Sequence, residues 1–514
     1  MLVFPLTFML VFLVSGAWGC RTEPTTSTTT DTDDTTDTEP TSNTSDTNVI
    51  EDADGDGFSF PEDCDDADPA VFPGADDPVG DRADTDCDGL DGTATSVANL
   101  PRYVSGLGEP DVQLGQYLSA IGGRSADQAL VVGAGNMNHE VSDGRAWLVD
   151  DASGGASSWE TLRYWFDDDF HYLGSGVAAG DLTGDGHPDV VSSYGKGILV
   201  ILGPDFAEDF SRRVGILELV AGDLVSAGNR VSVADLTADG QVDLIFECGY
   251  RADPDAGWEY HLCVLPGPLD AGTELTPDAV IRLVMEDPYG ALTWTLGSSE
   301  GTARSVFVGK QSARDRLGVV HRFDVGVDAA PATIAPVETW VGESAGDWFG
   351  SALATGDVDG DGEEELLVGA MGYPGRDRVG RVYALGPGDE ARTARLTIDV
   401  GLDDAGVHHL GVSLAVADLD GDGTDDLVVG APSIANVGPT KRGLAAVFAG
   451  PVTGALTLED ATWAYGGERP GDSFGFALEV LDFDGDGGLD LVVAAPAADD
   501  EAVDEGALYW ITPP

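Results

Sequence analysis

A short acidic loop recurs down the last two thirds of the chain and limits the available folds more than any other feature. Three copies are complete: Asp357-Val-Asp359-Gly-Asp361-Gly-Glu-Glu-Glu365, Asp418-Leu-Asp420-Gly-Asp422-Gly-Thr-Asp-Asp426 and Asp482-Phe-Asp484-Gly-Asp486-Gly-Gly-Leu-Asp490. Two looser copies carry Asp181, Thr183, Asp185 and Asp189, and Asp235, Thr237, Asp239 and Asp243, in the same frame. Carboxylates at loop positions 1, 3, 5 and 9 can converge on one hard cation, because the intervening glycines let the backbone curl and present a carbonyl at position 7. Ca²⁺ is the expected occupant, at about five sites. A single Asp-Gly-Asp-Gly segment can equally be a polar turn with no ion. Five copies in one frame argue against that.

An EF-hand opens with similar spacing but requires a bidentate Glu at position 12 and a helix on each side. Here position 12 is Val368, Val429 or Val493, inside runs such as Leu366-Leu-Val-Gly-Ala370. The loops therefore join strand to strand.

The flanks of each loop define a repeat. Upstream lie Phe349-Gly-Ser-Ala-Leu-Ala354, Leu410-Gly-Val-Ser-Leu-Ala415, Phe474-Gly-Phe-Ala-Leu478 and Leu173-Gly-Ser-Gly-Val-Ala178. Downstream come Gly369-Ala-Met371, Gly430-Ala-Pro432 or Ala494-Ala-Pro496, then a further strand such as Gly380-Arg-Val-Tyr-Ala-Leu385. Each unit reads as a small antiparallel sheet. The first aspartates, at 181, 235, 357, 418 and 482, are separated by 54, 122, 61 and 64 residues. The 122-residue step is two repeats of 61, so a unit without a metal loop is expected between 244 and 356, around Trp294-Thr-Leu-Gly297 and Ser305-Val-Phe-Val-Gly309. Another degenerate unit precedes the first loop, at Leu114-Gly-Gln-Tyr-Leu118 and Ala129-Leu-Val-Val-Gly-Ala134. That makes seven four-stranded sheets, which cannot bury both faces alone and are best satisfied by closing radially into an all-β, seven-bladed β-propeller. Pro101-Arg-Tyr-Val104 is the expected strand locking the ring against the final blade.

The order Phe-Gly, then Asp-x-Asp-x-Asp-Gly-x-x-Asp, then Gly-Ala-Pro resembles the FG-GAP repeat of the integrin α-subunit head and of many bacterial surface proteins. The resemblance covers residues 95–514 and implies a stiff platform with long end loops, not a particular ligand.

The N-terminal part points outside the cytoplasm. Leu2 to Val14 is an apolar run far short of the ~20 residues that span a bilayer, and small residues lead from it to Cys20. It reads as a secretory signal over residues 1–19. Its Ala17-Trp-Gly-Cys20 end resembles the lipobox of bacterial lipoproteins, which implies acylation of Cys20 and a place on the outer membrane or cell surface; otherwise the chain is secreted. Residues 20–48 are almost only Thr, Ser, Asp, Glu and Pro and are expected to form an extended tether. Residues 49–93 form a compact acidic module with Asp52, Asp54, Asp56, Asp63, Cys64 and Cys87. The series resembles the MopE-type metal-binding repeat, a family label that implies copper. The module has no Trp, His or Met, and all-oxygen carboxylate sites favour Ca²⁺ over copper, so one or two calcium ions are expected, the alternative being a disulfide loop without an ion.

Five cysteines leave two pairs once Cys20 is set aside: Cys64 with Cys87, and Cys248 with Cys263. The second pair falls on successive strand-like runs, where a disulfide needs an oxidising compartment and two buried free thiols are the alternative.

A formal net charge of −67, with lysines only at 196, 310 and 441, argues against nucleic acid or an anionic membrane surface as partner. No catalytic constellation is legible. The seven histidines, His139, His171, His187, His261, His321, His408 and His409, lie in no His-Glu-x-x-His frame and next to no Gly-x-Ser-x-Gly turn. His187 is expected to be a solvated loop residue, and His408 and His409 to be exposed loop residues. The expected function is that of a monomeric, non-enzymatic surface module binding a protein or glycan partner. The alternative is a secreted hydrolase or lyase acting on polysaccharide or phospholipid through the propeller channel.

Overall fold

The computed structural model describes residues 54–55, 58, 67–72, 94–96, 102–104, 113–121, 129–134, 145–149, 174–194, 197–202, 216–220, 225–250, 259–270, 273–276, 278–285, 292–300, 303–326, 333–373, 379–400, 409–432, 442–483, 486–499 and 505–513. The chain separates into two compact units between Gly92 and Thr93. In the N-terminal unit, Phe58 stacks on Phe72 with ring centroids 5.7 Å apart.

Among the described residues the C-terminal unit holds seven sheets, six of them with four or five strands. The second strand of each acidic-loop hairpin is apolar almost throughout because both its faces are covered. Glu365–Ala370, Asp426–Ala431 and Asp490–Ala495 are buried along their whole length. Each is preceded by a strand ending at the loop and followed by an antiparallel third strand: Phe349–Gly356 and Arg381–Leu385 in the fifth sheet, Ser413–Ala417 and Leu444–Phe448 in the sixth, Ala477–Leu481 and Ala507–Ile511 in the seventh. The second sheet orders Val177–Gly180, Asp189–Tyr194, Gly197–Ile201 and Ile216–Val220, and the third begins with Val225–Ala234, Asp243–Tyr250 and Glu259–Leu265. The unit expected to lack a metal loop is the fourth sheet, with Thr293–Glu300 and Ala303–Lys310 joined by a tight hairpin.

The expectation of seven four-stranded units is corrected. Six sheets have four or five strands; the first has three among the described residues, Tyr117–Ile121, Ala129–Ala134 and Arg145–Val149. Residues 150–173, which follow it, are outside the described residues.

The first strands of successive sheets are neighbours except at the third-to-fourth junction, and the seventh sheet returns to the first. Between the third and fourth sheets the Trp294 indole donates to Ser232 Oγ at 2.7 Å. The core accordingly lies between sheets. One cluster joins Leu130 and Val132 to Leu481, Val492 and Leu508; another joins Val131 to Val177 and Val190. The aromatic of the Phe-Gly pair anchors this packing: Phe349 meets Tyr383 edge-on at 5.5 Å and Phe474 meets Tyr509 at 5.3 Å. Such pairs add about 0.5–1.5 kcal/mol beyond the area they bury.

Closure uses the N-terminal end of the unit. Arg102–Val104 pairs antiparallel with Ala507–Ile511, as the sequence suggested. A second contribution was not foreseen: Ala94–Ser96 runs parallel to Trp463–Gly466 and adds a fifth strand to the sixth sheet. Ends of the chain therefore knit two sheets rather than one.

Cys248 and Cys263 form a disulfide across adjacent antiparallel strands of the third sheet, with Cα atoms 5.7 Å apart. The sequence separation is 15 residues, a closure for which chain entropy gives about 3 kcal/mol. Reduction, or Cys263→Ser, is expected to shift the thermal midpoint down by a few degrees. Differential scanning fluorimetry with and without reductant measures it, and an identical midpoint would refute a stabilising role.

Candidate metal centres

All five acidic loops hang from the same corner of their sheets, between first and second strands, and the sequence folds them by one rule. The position-1 carboxylate accepts the backbone N–H of position 6 through Oδ2: from Gly186 to Asp181 at 2.9 Å, Gly240 to Asp235 at 3.0 Å, Gly362 to Asp357 at 2.9 Å, Gly423 to Asp418 at 3.0 Å and Gly487 to Asp482 at 3.2 Å. The position-5 carboxylate accepts the N–H of position 7, as from His187 to Asp185, Gln241 to Asp239, Glu363 to Asp361, Thr424 to Asp422 and Gly488 to Asp486. The position-9 aspartate is buried and ties the loop's start to the sheet: Asp189, Asp243, Asp426 and Asp490 accept from Leu182, Leu236, Leu419 and Phe483 at 3.0, 2.9, 2.8 and 3.0 Å. Left-handed glycines make the curl possible, Gly360 and Gly421 both having φ of 74°.

The two kinds of loop differ at one atom. In the looser pair, position 3 is Thr, and the spare Oδ1 of position 1 accepts the position-5 N–H, at 3.0 Å for Asp181 and Asp235. In the complete loops that N–H goes elsewhere, from Asp361 to Asp359 Oδ1 at 3.0 Å and from Asp422 to Asp420 Oδ1 at 3.1 Å. The Oδ1 atoms of Asp357, Asp418 and Asp482 are then buried with no hydrogen-bond partner. A sealed carboxylate oxygen without a donor costs roughly 1–3 kcal/mol or more. Carboxylate oxygens of Asp357, Asp359 and Asp361 lie within 4.8 Å of one another, as do those of Asp418, Asp420 and Asp426. The donors are all oxygen, so the residues present fit a hard divalent cation such as Ca²⁺.

The loops face neighbouring sheets as well as their own. The Asp357 N–H donates to Asp425 Oδ2 at 2.9 Å, Val452 N–H to the Val358 carbonyl at 2.7 Å, and Leu269 N–H to the Leu182 carbonyl at 2.7 Å. The loops are thereby hydrogen-bonded across sheet junctions. Burial raises the carboxyls of Asp243 and Asp426 above the usual aspartate range, against the backbone hydrogen bonds that hold them down. Glu365 is pushed up to about 7, first by burial and then by the Asp359 carboxylate, with Arg395 opposing.

Three segments, 349–385, 410–448 and 474–509, match the FG-GAP repeat model. The chain carries FG-GAP repeats. It is similar to integrin alpha-PS2 of Drosophila melanogaster, 33% identical over 234 residues, which is 42% of this chain and 16% of that protein. It is also similar to the phosphatidylinositol-glycan-specific phospholipase D of Rattus norvegicus, 35% identical over 159 residues, 29% of this chain and 19% of the relative. Human integrin alpha-IIb is 38% identical over 175 residues, 32% of this chain and 16% of the relative. The chain thus matches less than a fifth of the length of each.

Outside the FG-GAP segments the sequence expectations meet different fates. Asp54 is half-buried, while Asp52, Asp56, Asp63, Cys64, Cys87, Cys20 and, within the last loop, Asp484 lie outside the described residues. His187 is exposed, as expected. His409 is not: it is only 4% exposed and adopts φ of 63° just before Leu410-Gly411, a backbone turn it shares with Trp348 and Ser473. Its burial corrects the reading of it as an exposed loop residue. Charged residues inside the third and fourth sheets were missed: Lys310 is fully buried, and Arg230 donates to the Leu292 carbonyl at 2.8 Å beside the half-buried Glu247. Glu247 stands four residues after a position-9 aspartate, where the three FG-GAP segments have Gly369, Gly430 and Ala494, so comparing repeats position by position would have found it.

Proposed function

We propose that this chain is an extracytoplasmic, calcium-rigidified propeller that binds a protein or glycan partner without chemistry. In it residues 49–93 act as a separate metal-binding module, and 20–48 tether the whole to a lipid-modified Cys20. Ions are held by Asp181, Thr183, Asp185 and Asp189, by Asp235, Thr237, Asp239 and Asp243, by Asp357, Asp359, Asp361 and Glu365, by Asp418, Asp420, Asp422 and Asp426, and by Asp482, Asp484, Asp486 and Asp490.

The observation that carries this reading is the unsatisfied, buried Oδ1 of Asp357, Asp418 and Asp482, each in a loop set against a sheet junction. A cation there satisfies the oxygen and stiffens a ring whose end loops then present a partner surface at low entropic cost. The similarity to integrin alpha chains supports an adhesive role, and the absence of any apolar helix long enough to cross a membrane among the described residues is compatible with an anchor at the N-terminus. The test is capture from envelope extracts and on glycan arrays, with and without Ca²⁺. Calcium-dependent retention of one ligand supports the proposal, and equal retention in EDTA refutes the metal's part in it.

A second reading is favoured by the similarity to phosphatidylinositol-glycan-specific phospholipase D. It makes the chain an enzyme on polysaccharide or phospholipid. Turnover of either substrate by the purified chain decides for it.

A further inference from the structure

The Asp357 loop departs from the others in three linked ways. Position 9 is Glu365 rather than aspartate; its side chain is fully buried and its Oε2 has no hydrogen-bond partner. Next, the backbone N–H that seals position 9 elsewhere is turned away: Gly267 donates to Asp243 Oδ1 at 3.1 Å and Gly450 to Asp426 Oδ1 at 2.9 Å, but the equivalent Gly386 donates to Asp389 Oδ2 at 2.8 Å. Finally, a guanidinium fills the gap. Arg395 Nη1 lies 2.8 Å from Glu365 Oε1, 3.4 Å from Asp361 Oδ2 and 3.8 Å from Asp359 Oδ2, while its Nε lies 3.4 Å from Asp389 Oδ2.

Three of the four side chains assigned to one ion therefore already face a fixed positive charge. Arginine stays protonated at any working pH, so this charge cannot be titrated away. Its backbone is pinned, the Arg395 N–H donating to the Ala384 carbonyl at 2.9 Å and Gly454 N–H to the Arg395 carbonyl at 2.9 Å. The side chain alone can swing out, being 31% exposed. Room for it exists because residue 386 has no side chain: a Cβ there would collide with the Arg395 guanidinium. No ion pair to the Asp418 loop of the next sheet is found among the described residues.

We infer that Arg395 is a tethered cation competing for the Asp357 loop, so that this loop accepts a divalent ion only by displacing the guanidinium and holds it less tightly than the Asp418 loop does. The inference rests on the calcium reading proposed above and assigns Arg395 as the residue that sets the affinity of one site. It also explains Glu365, whose extra methylene spans the distance to a guanidinium. The unsatisfied Oε2 of Glu365 and Oδ1 of Asp357 remain for a metal once Arg395 leaves.

The experiment is equilibrium dialysis of the chelator-stripped full chain against buffered Ca²⁺, with bound calcium counted by mass spectrometry. Wild type is compared with Arg395→Gln, Gly386→Ala, Asp357→Ala and Asp418→Ala. Gly386→Ala keeps the charge but pushes the guanidinium aside, and the backbone there is outside the left-handed region, so alanine is tolerated. One site is expected to fill at a free calcium concentration at least about tenfold lower in Arg395→Gln and in Gly386→Ala, and that gain is expected to vanish when Asp357→Ala is added. If both variants titrate like wild type while Asp418→Ala loses an ion, the competition is overturned and the calcium reading stands. If wild type takes up no ion at all, both fall.

Discussion

Stripped of divalent metal in excess EDTA, the chain is expected to melt on the order of 10 °C lower than in millimolar Ca²⁺. The direction follows from linkage: an ion that binds the folded loops and not the unfolded chain stabilises by about 2.7 kcal/mol per site at a hundredfold excess over its dissociation constant. Even three occupied sites sum to roughly 8 kcal/mol, and in a unit of this size each kcal/mol moves the midpoint by about 1–2 °C. The sign is reinforced by charge. Five clusters of carboxylates sit on a chain of formal charge −67, and without counter-ions they repel within each loop. Sodium chloride is therefore expected to recover part of the loss, because repulsion between solvent-facing carboxylates is screened within a Debye length of about 8–10 Å. Asp418→Ala, which removes the unsatisfied oxygen from one loop, should lower the midpoint in calcium and leave it nearly unchanged in EDTA. Calorimetry on protein verified as metal-free reads the effect; a midpoint within about 1 °C of the calcium form would remove the loops from the stability of the fold.

The loops were legible because a metal site of this type is local. Nine consecutive residues carry all the carboxylates of a loop, so spacing alone locates Asp418, Asp420, Asp422 and Asp426, and the buried strand that follows is legible as an apolar run too short for a helix. The period of the repeat located even the fourth sheet, which has no loop. What spacing cannot show is the chemistry of residues brought in from other segments. Arg395 lies thirty residues after Glu365 and belongs to no motif, yet it contacts three of that loop's carboxylates. Glu247 and Lys310 sit where small residues are expected, and nothing local signals that the third-to-fourth junction is polar.

Closure of the ring was partly legible for the same reason. Arg102–Val104 was found because something must pair with the last strand, whereas Ala94–Ser96 has no such demand on it and is only three residues long. His409 was misjudged because its burial follows from a left-handed backbone turn ahead of Leu410-Gly411, and sequence shows such a turn plainly only when the residue is glycine.

The junction between sheets yields the other large expected effect: Gly369→Ala should destabilise the fold by roughly 3–5 kcal/mol, and Gly369→Val should abolish soluble expression. Gly369 pairs with Val382 in the middle of the fifth sheet, and an added Cβ would collide with the Gly411 carbonyl oxygen of the sixth and lie 3.1 Å from Ser351 Oγ. Backbone sits opposite, so no side chain can swing away, and relief requires the two sheets to separate along a junction that also carries the Ser351 Oγ donation to Gly411 at 3.2 Å. The contact recurs at Gly430 against the Gly475 carbonyl and at Gly133 against the Gly174 carbonyl, which accounts for the Gly of the signature at these junctions; the seventh sheet has Ala494 there instead, facing Gly115. Glu247 shows what it takes to depart from the signature. At that junction the neighbour is the fourth sheet, and the Leu292 backbone together with Arg230 of the third sheet itself receives the larger side chain, with Lys310 adding countercharge. A control separates steric overlap from glycine flexibility: Gly421 has φ of 74° and nothing within 4 Å of an added Cβ, so Gly421→Ala should cost only about 1–2 kcal/mol of left-handed backbone strain. Urea midpoints of the two alanine variants measure the difference. Equal losses would mean that the sheets are not in backbone contact at Gly369 and that the signature glycine serves only the turn.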